Sequence, residues 1–195
     1  MSAYIDLRSD LFRSAFAGGV AYPEYLATGN DRERAAWGRA GAALPALPQD
    51  AGTRLDPAGR IVNVLCLSGI WCGDCVRSVP IVARLAETAG PSVDLRFVDR
   101  DAIPELRDEL RVLGAMRVPV VVFLTEDFHE IGRFGDRPLA VYREKAATEL
   151  GAACPLPGSA DGGALAAETD EWLDVFERMI LMARLAPPLR ARHGD

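Results

Sequence analysis

The stretch SGIWCGDCVRSVP, residues 68–80, decides how this chain is read. Just upstream, IVNVLCLS at 61–68 is a short apolar run, β-branched at its start, which suits a central strand buried on both faces. Just downstream, Val76, Val79, Val82, Ala83 and Ala86 recur at helical spacing between Cys75 and Ala89, and Gly90-Pro91 is a stop signal. Cys72 and Cys75 therefore fall at a strand-to-helix junction. Such a pair can be a redox couple, half of a metal site, or two structural cysteines. A structural zinc needs four ligands, and only Cys66, Cys154, His129 and His193 are left to complete the set, none at ligand spacing. At a helix start, unpaired backbone N–H groups and the positive end of the dipole favour thiolate over thiol. That makes Cys72 the attacking sulfur. Cys75 lies one turn further on, in reach of a mixed disulfide formed on Cys72. Trp71 supplies a broad wall beside the pair, and Gly73 leaves the backbone open to a partner.

Working outward, VDLRFVD at 93–99 reads as a second strand, and IPELRDELRVLG at 103–114 as a helix opening near Pro104 and closing on Gly114. RVPVVVFL and FHEIGRF, separated by TED, read as an antiparallel hairpin. Arg137 to Leu150 reads as a helix with Asp136 as its N-cap. CPLPGSADGG at 154–163 is loop-like, and Leu165, Trp172, Phe176, Met179 and Leu185 mark a last amphipathic helix. Before the first strand, Tyr4, Leu7, Leu11 and Phe12 have helical spacing, Asp31 can cap a second amphipathic helix, and LPALPQDAGTRLDPAGR reads as a connector. The organisation expected is a helical extension and connector over 1–57, an α/β domain over 58–150, and a loop with a C-terminal amphipathic helix packed on the same domain over 151–195.

The order from Ile61 onward is β-α-β-α-β-β-α. A right-handed crossover makes the first two strands parallel, and the hairpin completes a mixed sheet of about four strands flanked by helices. The carboxyl ends of parallel strands form the functional edge of such a sheet. Cys72 lies there, and the second strand carries Asp99, Arg100 and Asp101 to the same edge.

Composition narrows the function classes. With 195 residues, 49% of them hydrophobic and 26% charged, the chain has the balance of a folded domain with a sizeable core. A net charge of −6 with interspersed signs offers no basic stripe for nucleic acid. No segment has signal-peptide or membrane-spanning character, so a cytoplasmic protein with no membrane partner is expected. Four unevenly spaced cysteines are too few for a disulfide scaffold of this length.

WCGDC after a buried strand resembles the thioredoxin superfamily, whose common active site is WCGPC. Pro80, five residues after Cys75, matches the proline that kinks the family's active-site helix. Val118-Pro119 matches the dipeptide whose cis-proline faces the disulfide, and Gly135 falls where a glycine ends the last strand. The resemblance covers roughly residues 58–150. Taken whole, with WCGDC, VDRD and GRFGDRP, the chain is most similar to uncharacterised bacterial thioredoxin-family proteins that carry an N-terminal helical extension. The resemblance implies a thioredoxin-like fold and a thiol–disulfide oxidoreductase without cofactor or metal. Cys72 and Cys75 would be catalytic, with Trp71, Gly73, Val118, Pro119 and Gly135 at the substrate. A disulfide-containing protein or small-molecule thiol would be the substrate, and a reductase would recharge the dithiol.

The departures are as specific. The family keeps a buried aspartate six residues before its first active-site cysteine, and this chain has Cys66 there. The accompanying lysine aligns with Phe97, and the motif's proline is Asp74, whose charge opposes ionisation of Cys72. Arg100 is the expected counterweight, by pairing with Asp74 or with the thiolate. Cys66 is expected to be an inert, buried small hydrophobe, and Arg133, Asp136 and Arg137 to serve capping and solvation. Loss of the buried carboxylate keeps a second function class open, a binding adaptor whose dithiol is vestigial or regulatory.

Overall fold

Every residue of the first strand, β1 (Val62–Ser68), is buried, because neighbours pair with it on both edges. The computed structural model of the chain describes residues 5–56, 59–151 and 163–194. Parallel to β1 runs β2 (Val93–Asp99), with Cys66 opposite Phe97 and Ser68 opposite Asp99. On the other edge β3 (Val120–Leu124), equally buried, runs antiparallel to β1, and β4 (Glu130–Gly135) runs antiparallel to β3. The order β2-β1-β3-β4 is the mixed four-stranded sheet expected from the sequence. Both central strands are buried throughout and mostly apolar, with Asn63 and Ser68 the polar residues of β1, whereas the edge strands are only partly covered.

Helices flank this sheet. The N-terminal segment forms α1 (Ser9–Ala17), α2 (Tyr22–Ala27) and α3 (Asp31–Ala42), and a single turn, α4 (Ala51–Arg54), interrupts the connector. Four helices thus stand where two were read. Asn30, not Asp31, caps α3: its side chain accepts from the Glu33 N–H at 3.0 Å, while the Glu33 carboxylate takes the Asn30 N–H at 2.8 Å. Leu7 is exposed, and Tyr4 lies outside the described residues. Val20 forms an antiparallel bridge with Phe97, so the chain before β1 blunts the outer edge of β2. Phe12, Tyr25 and Trp37 join one hydrophobic core with the sheet and with Trp172 and Phe176.

The active-site helix α5 (Gly73–Ala89) carries Pro80 inside it and ends at Gly90, whose φ is 70°. Between β2 and β3, α6 (Pro104–Glu109) is shorter than read. Leu106 and Leu110 are buried, and the chain then reverses in a two-residue turn, Leu113 and Gly114, both at positive φ, closed by reciprocal Val112–Ala115 hydrogen bonds. Gly114 serves this turn and not a helix stop. After β4, α7 (Leu139–Leu150) starts two residues later than expected. Its first N–H groups, on Leu139 and Ala140, donate to the Glu171 carboxylate of α8 (Ala164–Leu185). Trp172, Phe176 and Met179 of α8 are buried as its periodicity implies, but Leu185 is exposed where the chain passes into α9 (Pro187–His193). Among the described residues no helix is long and apolar enough to cross a membrane.

Candidate active site

The turn leaving β1 aims the first cysteine. The Gly69 carbonyl accepts the Cys72 N–H at 2.9 Å, and the Trp71 indole lies so close over Gly69 that a Cβ there would come within 2.9 Å of the ring. The Ile70 carbonyl accepts from the indole Nε1 of Trp37 on α3 at 2.8 Å. Cys72 is thereby fixed as the N-cap residue of α5, half-buried, while Cys75 is completely buried one turn on.

Position alone separates the two thiols. Cys72 is brought down to about 6, chiefly because the Cys75 side chain hydrogen-bonds to its sulfur. Burial works against this, the N–H groups of Cys75 and Asp74 add to it, and the Asp74 charge opposes it. Cys75 is pushed far upward, first by burial and then by its hydrogen bond and charge contact with Cys72. The Ser68 hydroxyl and the Gly69 N–H, 3.5 Å from the sulfur, act in the opposite sense. Cys66, wholly buried in β1 and reduced, is raised by burial alone. Cys154 lies outside the described residues.

Opposite the thiols, the Cys72 Sγ–H donates to the Val118 carbonyl at 3.6 Å, and the Val118–Pro119 bond is cis, as is Gly135–Asp136. Gly135 pairs with Val120 across the β3–β4 ladder, where a Cβ would stand 2.7 Å from the Pro119 carbonyl oxygen. Gly73 is exposed at the start of α5, with open space around its Cα, and Trp71 is half exposed beside it.

The charges around the site are arranged differently from the expectation. Arg100 pairs with Asp101 at 2.7 Å and lays its guanidinium over the Trp71 ring, 4.6 Å from its centroid; its charge interacts with the Cys72 sulfur, as one of the two expected arrangements has it, but it is not the partner of Asp74. That partner is Arg137, whose Nη2 stands 2.5 Å from the Asp74 carboxylate. Arg137 reaches α5 because the chain leaving β4 runs beside the helix start. Its neighbour Asp136 is buried and does not cap α7; it accepts from Arg117 at 2.8 Å, from Arg137 at 3.2 Å and from the Tyr142 hydroxyl. Burial would raise the Asp136 carboxyl, but the hydrogen bonds from Tyr142 and Arg117 hold it below its ordinary value. GRFGDRP carried this signal only as two arginines flanking an aspartate. Tyr25, Ser68 and Trp37, which approach the dithiol from the other side, carried none. Among the described residues no group of three or more His, Cys, Asp or Glu side chains could hold a metal ion.

Solved structures share this fold. A crystal structure at 1.5 Å of a protein of unknown function from Pseudomonas aeruginosa superposes with a TM-score of 0.66 at 22% identity, over 94% of this chain and 99% of that one. The crystal structure of an HIV epitope-scaffold superposes with a TM-score of 0.61, also at 22% identity, over 89% of this chain and 96% of that one. At such identities the likeness is one of fold. No curated protein matches the sequence. The sequence model of the thioredoxin family matches residues 19–149, which takes in α2, α3 and α4 of the N-terminal segment, Cys72 and Cys75, and the Val118-Pro119 dipeptide. A cysteine at a helix start beside a buried one and opposite an X-Pro turn is thus found within that match, and the chain belongs to the thioredoxin family.

Proposed function

We propose that the protein is a thiol–disulfide oxidoreductase that reduces disulfides in the cytoplasm. The observation that carries the reading is the contrast within one helical turn: a half-exposed Cys72 whose thiol is acidified, and a buried Cys75 whose thiol is not. The Cys72 thiolate attacks one sulfur of a substrate disulfide, the S–S bond breaks, and the first substrate thiolate leaves and takes up a proton. Cys75 then loses its proton and attacks the Cys72 sulfur. A Cys72–Cys75 disulfide forms as the second substrate thiol departs, and two electrons have passed to the substrate. A dithiol reductase returns the pair to its reduced state.

The substrate is a disulfide-bearing protein, or a small-molecule thiol in its disulfide form. Trp71 and Gly73 give it access, and the Val118–Pro119 segment, seated on Gly135, lies across from the attacking sulfur. A cytosolic glutathione poise near roughly −220 to −320 mV favours the reducing direction.

Insulin reduction with dithiothreitol tests the reading, combined with capture by Cys75→Ser. The wild type should precipitate insulin chains well before the blank. The variant should accumulate reducible adducts on Cys72 from a cytosolic extract. A wild type matching the blank, together with no adducts, would replace the oxidoreductase with the adaptor.

A further inference from the structure

The N-terminal helices reach the buried thiol. Tyr25 of α2, only 2% exposed, donates its hydroxyl to the Ser68 Oγ at 3.0 Å, and Ser68, the last residue of β1, is itself completely buried. The N–H of the next residue, Gly69, donates to the Cys75 sulfur at 3.5 Å, which sets the Ser68 hydroxyl beside that sulfur, where it favours the thiolate. A hydroxyl offered one donor has its own proton free to point at a further acceptor, so the order Tyr25 O–H, Ser68 O–H, Cys75 Sγ is a directed chain.

Among the described residues no carboxylate hydrogen-bonds to the Cys75 sulfur. Cys66, on the same strand two residues before Ser68, is a thiol that burial keeps protonated, and Tyr25 is likewise pushed upward, first by burial, so that it remains a donor. Tyr25 stacks on Phe97 with ring centroids 5.2 Å apart and meets Trp37 edge-on at 5.8 Å, which fixes its hydroxyl. The charged or titratable groups that act on this chain are Cys66, Cys72 and Asp99.

We infer that Tyr25 and Ser68 are positioning residues for the resolving step: their hydroxyls stabilise the Cys75 thiolate as it forms, a task performed here by the helical extension and not by a buried acid. The inference rests on the oxidoreductase reading. In the step, Cys75 gives up its proton and attacks Cys72 Sγ; the bond from Cys72 to the substrate sulfur breaks, the Cys72–Cys75 bond forms, and the departing thiolate takes up one proton. Tyr25 and Ser68 end the step as they began it, so no further reactant is needed.

The test uses the reduced full-length chain and equimolar dithiobis(nitrobenzoate), which releases one coloured thiolate when Cys72 attacks and a second when Cys75 resolves the adduct. Losing a hydrogen bond to a charged sulfur lowers the acidity of the thiol about ten- to a hundredfold. The higher intrinsic nucleophilicity of the more basic thiolate offsets about half of that on a logarithmic scale. Ser68→Ala should therefore slow the second phase about three- to tenfold at neutral pH, and Tyr25→Phe, which acts through Ser68, by less; both should move its pH profile upward and leave the first phase and its profile unchanged. A purely structural role would slow both phases together, and that result would overturn the inference. So would an unchanged second phase in both variants. A wild type without a second phase, with one equivalent of thiolate released and no turnover of insulin, would instead overturn the oxidoreductase reading itself.

Discussion

The two sides of the active-site helix treat its two thiols differently. From the N-terminal side, α2 and α3 send uncharged donors inward: the Tyr25 hydroxyl through Ser68 to Cys75, and the Trp37 indole to the Ile70 carbonyl. From the β4–α7 side come charges, Arg137 on Asp74 and the buried Asp136 held by Arg117, Arg137 and Tyr142. The neutral side adjoins a thiol that stays protonated until it must attack. The charged side adjoins one that is ionised beforehand. Burial decides the first, and the hydrogen bond from Cys75 together with the N–H groups of the helix start decides the second, so a single turn of helix yields two acidities.

The comparison can be broken first by packing, one variant on each side. Trp37→Phe leaves the Ile70 carbonyl without its donor and opens space at a fully buried site, and should cost about 2 kcal/mol. Gly135→Ala drives a methyl against the Pro119 carbonyl, where the nearest atom is backbone and cannot swing aside, and should cost about 1–3 kcal/mol. Denaturant midpoints measure both. Both should also slow insulin reduction at saturating dithiothreitol, the first by loosening the turn that fixes Cys72 and the second by displacing the segment that faces it.

A smaller effect lies in the pH dependence of stability. The folded Cys72 thiol, near 6, is more acidic than in the unfolded chain at roughly 8.5. Its contribution is complete above the unfolded value and lost as pH falls through 6, so the melting temperature of the reduced protein should rise between pH 6 and 8.5. Cys72→Ser should lack that share of the rise. An identical slope in the variant would mean that the folded thiol is not acidified.

The smallest effect belongs to the Asp74–Arg137 pair. Asp74 opposes ionisation of Cys72, and Arg137 counters Asp74. Arg137→Ala should shift the alkylation profile of Cys72 to higher pH and Asp74→Asn to lower pH. If Arg100→Ala moved the profile while Arg137→Ala did not, the counterweight would belong to the opposite side of the helix.

The outline of the fold was legible because two central strands read as unbroken apolar runs and the Cys72–Cys75 junction fixed where the active-site helix starts. The helix boundaries were less so. Leu113 and Gly114 adopt a turn that the helical spacing of Leu106 and Leu110 conceals, and α7 takes its N-terminal partners from Glu171, a residue 32 positions from Leu139 that no local pattern announces. The same reason hid half of the site. Arg137 and Tyr25 are 63 and 43 residues from the groups they serve, Asp74 and Ser68, and a tyrosine in an amphipathic helix looks like core until the fold brings its hydroxyl to a serine. Arg100 does reach the Cys72 sulfur through its charge, as sheet topology suggested, but its hydrogen bonds go to the adjacent Asp101 and its face to Trp71, not to Asp74.

The division of labour between Cys72 and Cys75 is tested most directly by brief alkylation of the reduced wild type with limiting iodoacetamide across pH 5 to 9, with each cysteine quantified by peptide mass spectrometry and insulin reduction assayed on the same samples. Of Cys66, Cys72 and Cys75, label should enter Cys72 alone, with a midpoint near 6, and activity should fall in proportion to it. Equal labelling of Cys72 and Cys75, or full activity in protein whose Cys72 is blocked, would contradict the account.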